Sequence, residues 1–207
     1  MKRDIPCLCE NTFTVEVPEE INLDEQLLYL DAILDGTFMS FVCSICGKTH
    51  KPEFPVKVLW PSRNLVMEVL PQEERAFFFR RKKKNRKADE AETVIGYDEL
   101  ADRLAVIRDG LEPVVIEALK YYFHLKAGEF CPDTETGVRY RRKNAGGLEF
   151  HLYGLRRDSV AITNVPLEMY EKTLAEFKRR PKGEPFASLR FGSCLSAQNM
   201  MLPEGIK

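Results

Sequence analysis

The sequence lacks the long apolar segments of membrane proteins and the charge imbalance typical of many nucleic-acid-binding proteins. Among its 207 residues, no apolar run approaches the ~18 residues needed to cross a bilayer. The charged start, Met1 to Pro6, has no apolar core behind it, so we expect no signal peptide. The formal net charge is -1, which gives no global field to attract a polyanion. We therefore expect a cytoplasmic protein with no membrane partner.

Recognisable catalytic motifs are also missing. The three histidines, His50, His124 and His151, form no constellation, and there is no zinc-protease motif, nucleophile elbow, phosphate-binding glycine loop or dinucleotide fingerprint. Acidic residues are numerous but scattered, so no pair stands out as a general acid and base. The sequence favours a binding protein over an enzyme, and an enzyme of unrecognised type stays an alternative.

What the sequence does contain is two tight pairs of cysteines, Cys7 with Cys9 and Cys43 with Cys46. In a reducing cytosol, closely paired cysteines are more often metal ligands or redox groups than structural disulfides. Each pair adjoins a segment with a strand pattern, at 12–17 and 38–42. Two turns that each supply two thiolates complete the tetrahedral coordination that zinc prefers. We predict one structural zinc ion bound by these four cysteines.

The first pair is tighter than is usual for a metal site. Residues two apart on a strand share a face but lie about 6.5 Å apart, so both sulfurs can reach one ion only if the chain bends locally. Pro6 can help to provide that bend. His50, four residues after Cys46, is an alternative ligand.

Two other interpretations of the cysteines are open. Cys43 and Cys46 could form a redox dithiol, which would make the chain a thiol oxidoreductase. Thioredoxin-type motifs lie where a strand meets a helix, whereas Gly47-Lys48-Thr49 leads into another strand, and this favours the metal. The site could also have lost its metal and kept buried thiols. Catalytic zinc is not expected, because four thiolates leave no open position for water.

The remaining pattern predicts an α+β fold. It consists of an N-terminal zinc-ribbon-like β unit that merges into a mixed or antiparallel sheet packed with a helical hairpin, followed by a C-terminal β-hairpin and helix. The first helix is predicted from an N-cap at Asn22 to Gly36. The other predicted elements are strands at 56–60, 65–70 and 77–79, helices from Asp98 and from Pro113, hairpin strands at 138–143 and 148–153, a strand at 160–163 and a helix at 167–178.

The N-terminal part of the sequence resembles a known protein family. The N-terminal cysteine pair, a leucine-rich helix that ends in Asp35-Gly36 and the segment Phe38 to Gly47 together resemble the CpXC-domain family. The similarity covers roughly residues 5 to 125, which predicts one region at 1–125 and another at 126–207. Members of that family carry two such cysteine motifs and are largely uncharacterised, so the resemblance implies metal binding but no reaction.

The most polarised segment of the chain is basic. Seven of its eight residues are Arg80, Arg81, Lys82, Lys83, Lys84, Arg86 and Lys87. A block of like charge is usually a solvated loop, which is the interpretation we favour. If it shares a side of the protein with Arg139, Arg141 and Lys143, the two could follow phosphates, with Tyr153 or His151 stacking on bases.

The sequence therefore predicts a cytoplasmic, zinc-stabilised binding or adaptor protein with an unidentified protein partner. A nucleic-acid-associated protein that uses the basic segment at 80–87 is the first alternative. An unrecognised enzyme or thiol oxidoreductase centred on Cys43 and Cys46 is the second.

Overall fold

The computed structural model describes residues 1–82, 91–130 and 136–201, and it confirms the predicted α+β class. The chain divides into two compact units, Met1–Ala101 and Asp102–Lys207. The predicted division at residue 125 followed the extent of the family resemblance rather than compactness, and it stays a prediction. Among the described residues, no helix is long and apolar enough to cross a membrane.

The first unit is mostly β-structure. In chain order it contains β1 (Lys2–Pro6), β2 (Thr12–Glu16), β3 (Glu20–Asn22), α1 (Leu27–Asp35), β4 (Phe41–Val42), β5 (Thr49–His50), β6 (Val56–Trp60), β7 (Leu65–Leu70), α2 (Arg75–Lys82), β8 (Glu92–Ile95) and the start of α3 (Tyr97–Arg108).

Within this unit, two small antiparallel hairpins accompany a mixed sheet. The hairpins are β1 with β2 and β4 with β5. The sheet has the order β8-β7-β6-β3, with β6 and β7 antiparallel and the two outer pairings parallel. Alternate residues of β6 and β7 are buried, among them Val58, Met67 and Val69. Both strands match their predicted bounds, because a period-two pattern between turn residues specifies a strand strongly.

The predicted start of the first helix was wrong. Asn22 does not cap a helix, because β3 ends there and pairs in parallel with β6. Ile21 and Leu23 are both fully buried, which is the alternation expected of a strand. The Asn22 side chain instead accepts a hydrogen bond from the backbone N–H of Asp24 in a turn. Helix α1 begins only at Leu27. Its predicted end is confirmed at Gly36, which adopts a left-handed conformation with φ of 78°.

The predicted strand at 77–79 was also wrong, because these residues lie in α2. Arg75, Phe78 and Phe79 are buried while Phe77 is exposed, which is the spacing of one helical face. A short run of apolar residues carries no periodicity, so the sequence alone cannot distinguish a strand from a buried helical turn. Arg75 fixes the helix by a 2.8 Å salt bridge to Glu99 and a hydrogen bond to the Ile95 carbonyl.

The second unit starts within α3 and combines helices with a three-stranded sheet. It continues through α4 (Pro113–Phe130), β9 (Gly137–Asn144), β10 (Gly147–Tyr153), β11 (Ala161–Val165), α5 (Leu167–Arg179), β12 (Arg190–Phe191) and β13 (Cys194–Leu195). Gly110, with φ of 68°, turns α3 into α4 and confirms the predicted helical hairpin. The antiparallel strands lie in the order β11-β10-β9.

The predicted C-terminal hairpin is confirmed, with one change of register. The pairing shifts between Glu149 and Phe150, so that Arg141 is an extra residue in β9. Val138 and Tyr140 are buried, as alternation predicted. Beyond the bulge, Arg142 pairs with Glu149 and Lys143 pairs with the buried Leu148. Arg139, Arg141 and Lys143 therefore do not form one uninterrupted row, because an inserted residue reverses the alternation after it.

Candidate metal centre

The first cysteine pair lies in the tight turn that joins β1 to β2. Cys7 donates its backbone N–H to the Asn11 carbonyl at 2.8 Å, and Glu10 donates to the Cys7 carbonyl at 3.0 Å. Glu10 adopts a left-handed conformation with φ of 67°. The chain has therefore left the extended strand before Cys9, which confirms the predicted bend directly after Pro6 and brings both sulfurs to one side.

The second pair lies in the turn between β4 and β5. Cys43 donates its backbone N–H to the Lys48 carbonyl at 2.9 Å, and Gly47 donates to the Cys43 carbonyl at 2.9 Å. Gly47 has φ of 72°, a conformation that residues with a side chain adopt at an energetic cost. The glycine directly after Cys46 thus turns the chain back into β5, the strand that the sequence predicted there.

The two turns bring all four cysteine sulfurs together. The Sγ atoms of Cys7 and Cys46 are 3.5 Å apart, those of Cys9 and Cys43 are 3.7 Å apart, and all four lie within 4.8 Å of one another. With zinc–sulfur bonds of about 2.3 Å, the edge of a regular tetrahedron of sulfurs is about 3.8 Å. These four residues can therefore hold one metal ion.

Hydrogen bonds to sulfur favour ionisation of Cys43. The side-chain amide of Asn11, whose Nδ2 lies 3.4 Å from Cys43 Sγ, lowers the pKa of this thiol most, and the backbone N–H groups of Cys46 and Ile45 add to the effect. Together they lower its pKa to about 6. Donors of this kind surround metal-bound thiolates and orient them.

The pKa of the Cys7 thiol is shifted in the opposite direction, upwards. The backbone N–H of Cys9 lowers the pKa of the Cys7 thiol, but burial and the neighbouring thiols outweigh it and raise the value to about 12. Four thiolates so close together repel one another, so the protein alone stabilises only part of the cluster in the anionic form. A divalent cation would replace these protons and stabilise all four sulfurs as thiolates.

His50 lies beside the cluster rather than apart from it. Its Nε2 is 3.2 Å from Cys7 Sγ, and its ring packs edge-on against Phe13 at 5.8 Å between centroids. The group of metal-ligating atoms in the described chain contains the four cysteines without this histidine. His50 is thus placed to hydrogen-bond a ligand sulfur, a role that the sequence spacing did not distinguish from direct ligation.

Each cysteine turn also exposes an apolar side chain to solvent. Leu8, between the first two cysteines, is 84% exposed, and Ile45, just before Cys46, is 71% exposed. Val42, next to Cys43, is exposed as well. Three exposed apolar side chains thus belong to the two hairpins that carry the cluster.

The predicted basic segment falls largely outside the described residues. Arg80 is exposed on α2, and of Arg81 and Lys82 only the helical backbone is described. Lys83, Lys84, Arg86 and Lys87 lie outside the described residues. Their predicted role in nucleic-acid binding stays a prediction.

The second unit contains a buried charged network that was not predicted from the sequence. Lys120 of α4 forms salt bridges with Asp102 at 2.8 Å and Glu117 at 2.9 Å, and Arg103 lies 3.5 Å from Glu117. Glu117 also accepts the backbone N–H of Ala197, so its carboxylate is well satisfied. A charged pair three residues apart on an otherwise buried apolar helix face was the signal available in the sequence. The network joins α3, α4 and the backbone at Ala197 within this unit.

Comparisons with known proteins agree with this geometry. The model of a protein family described as CpXC protein matches residues 5–120, a range that includes both cysteine pairs. A protein of Treponema pallidum (strain Nichols), described as an uncharacterized protein, is 31% identical over 212 residues, which cover 94% of this chain and 96% of the relative. No solved structure matches the chain. The match over more than half of the chain confirms the resemblance seen in the sequence, and this chain belongs to the CpXC protein family.

Proposed function

We propose that Cys7, Cys9, Cys43 and Cys46 bind one structural zinc ion and that this ion stabilises the first unit of a cytoplasmic binding or adaptor protein. The observation that carries the proposal is the convergence of four sulfurs from two separate hairpins within 4.8 Å. Thiolate ligands in a tetrahedral arrangement select zinc or iron, and a reducing compartment keeps them available. A complete set of four thiolates supports a structural rather than a catalytic role.

The local structure favours this function over a redox dithiol. Cys43 is 1% exposed, so an incoming thiol or disulfide has little access to its sulfur. Gly47 leads into β5 rather than into a helix, and the sulfurs of Cys43 and Cys46 each lie close to a cysteine of the other hairpin. The residues are thus arranged as one cluster of four rather than as an isolated pair.

Metal analysis of the purified protein tests the proposal. We expect about one equivalent of zinc per chain, and we expect Cys43→Ser and Cys46→Ser to lose both the metal and the ordered structure of the two cysteine hairpins. The matched control is Cys194→Ala, which removes a buried thiol of the second unit and should retain the zinc. Bound iron would contradict the choice of zinc. A folded Cys43→Ser variant that lacks thiol-exchange activity would support the redox alternative instead.

A role in binding another protein is supported by the exposed apolar side chains of the cysteine turns. Leu8 and Ile45 contribute nothing to the core, and exposed apolar side chains grouped in this way often mark an interaction surface. We expect Leu8→Glu/Ile45→Glu to keep its zinc content and fold but to lose proteins that co-purify with the wild-type chain. If the same proteins co-purify with the wild type and with the double variant, Leu8 and Ile45 do not form the interaction surface.

A further inference from the structure

One face of the three-stranded sheet in the second unit is turned away from the core. Val138, Tyr140 and Phe150 occupy the buried face. Their strand neighbours occupy the opposite face, where Ile162 is 62% exposed. That second face also carries Arg139, Arg142, Glu149, His151, Tyr153 and Asn164, by the pairing of the three strands.

The hairpin and loop that build this open face are strongly basic. Between residues 137 and 165 the chain has six arginines and lysines, at 139, 141, 142, 143, 156 and 157, against two acidic residues, Glu149 and Asp158. Glu149 is already engaged by Arg142 and His151, each at 3.0 Å. Two of the six, Arg156 and Arg157, lie in the loop that follows Tyr153, together with Asp158.

That loop forms a cleft beside the aromatic ring. The cleft has a volume of about 520 Å³, within the range of small-ligand sites, and Tyr153, Arg156, Arg157 and Asp158 are among the residues that line it. The guanidinium of Arg139 lies over the Tyr153 ring, 4.8 Å from its centroid. Within the described part of the chain, neither Arg156 nor Arg157 forms a salt bridge with an acidic side chain.

We propose that this face binds single-stranded nucleic acid, with a base stacked at Tyr153 and the adjoining phosphates held by Arg156 and Arg157. An aromatic ring flanked by cations on an open sheet face is the arrangement that single strands require, because their bases are free to stack. A duplex keeps its bases stacked on one another, so it presents no free base face on which such a ring could stack. An anionic partner without bases would use the arginines but not the ring. The proposal does not depend on the metal.

The test is fluorescence anisotropy with the full chain and a labelled single-stranded oligonucleotide of mixed sequence. We expect binding that weakens steeply between low and physiological salt. Arg156→Gln/Arg157→Gln should weaken it about tenfold at low salt and reduce the slope of log affinity against log salt by about 1.4, since each phosphate contact to a single strand contributes about 0.7. Tyr153→Leu should weaken it about tenfold, and Tyr153→Phe should retain it because the ring remains.

Matched controls separate this face from other basic parts of the chain. Lys172→Gln changes an exposed charge on α5 that pairs with Glu168, and we expect it to alter affinity less than twofold. A duplex of the same sequence should bind more weakly than the single strand. The proposal is overturned if binding survives both the double arginine variant and Tyr153→Leu while the variants stay folded by circular dichroism. It is equally overturned if inorganic polyphosphate competes as well as the oligonucleotide does, or if nothing binds at low salt.

Discussion

A single side chain outside the cysteine pairs has a large influence on the chemistry of the cluster. Asn11 accepts the backbone N–H of Cys7 through its carbonyl and donates its side-chain amide to the sulfur of Cys43. It therefore closes the turn of one hairpin and favours the thiolate of the other. Its amide is the largest single cause of the lowered Cys43 pKa. In most metal sites, such outer partners matter for affinity nearly as much as the ligands do.

Replacement of Asn11 by alanine should weaken metal binding without removing a ligand. Without the amide, the pKa of Cys43 rises from about 6 towards its ordinary value, so protons compete with the metal at neutral pH. We expect zinc affinity at pH 7 to fall about tenfold and the pH at which half of the metal is lost to move upwards. Competition against a chromophoric chelator across pH 5 to about 8 measures both quantities.

Thr14→Ala is the control for this experiment. Thr14 lies on the same hairpin, and its hydroxyl donates to Asp4 rather than to any sulfur. Its removal should leave zinc affinity and its pH dependence unchanged. Equal affinities for the wild type and Asn11→Ala would mean that the amide does not act on the metal-bound thiolate.

At the scale of elements, the sequence predicts best those features that depend on local pattern. The β6 and β7 strands follow from alternation between turn residues, and the two cysteine turns follow from the spacing of the cysteines and from Gly47. Tight turns depend on residues close in sequence. For that reason, the four cysteines could be named as a candidate metal site from the sequence, and their sulfurs do lie within 4.8 Å of one another.

The elements that the sequence misassigned depend on distant neighbours. Residues 20–22 become a strand because β6 lies beside them, and nothing in their own pattern specifies that partner. The phenylalanine run becomes a helix because Arg75 meets Glu99. The bulge at Arg141 similarly depends on the register of β10. Asn11 was missed for the same reason, and His50 was predicted only as an alternative ligand, since their contacts with Cys43 and Cys7 join two separate hairpins.

At the scale of the whole molecule, apolar burial in the first unit is uneven. Strand β1 buries only Ile5, and β2, β4 and β5 bury no residue. Strands β6 and β7 instead bury Val58, Met67 and Val69 almost completely. Ordering each residue costs about 1–2 kcal/mol of backbone entropy, so the two cysteine hairpins lack the apolar contacts to fold alone. A metal ion that contributes about 10 kcal/mol on binding can supply the difference.

Removal of the metal should therefore unfold the cysteine hairpins first and the mixed sheet least. We expect a strong chelator to abolish hydrogen-exchange protection in peptides from 1–16 and 41–50, because these strands bury almost no residue and the four cysteines at their turns would lose the ion that holds them together. Peptides from 56–70 should keep most of their protection, since their side chains are buried without the metal.

Exchange measured by mass spectrometry with and without chelator decides this, and added zinc should restore the lost protection. Peptides from 137–153 provide the internal control, because they belong to the second unit. Uniform loss across all four segments would mean that the metal supports the entire chain, whereas unchanged protection at 1–16 would show that the hairpins are stable without it.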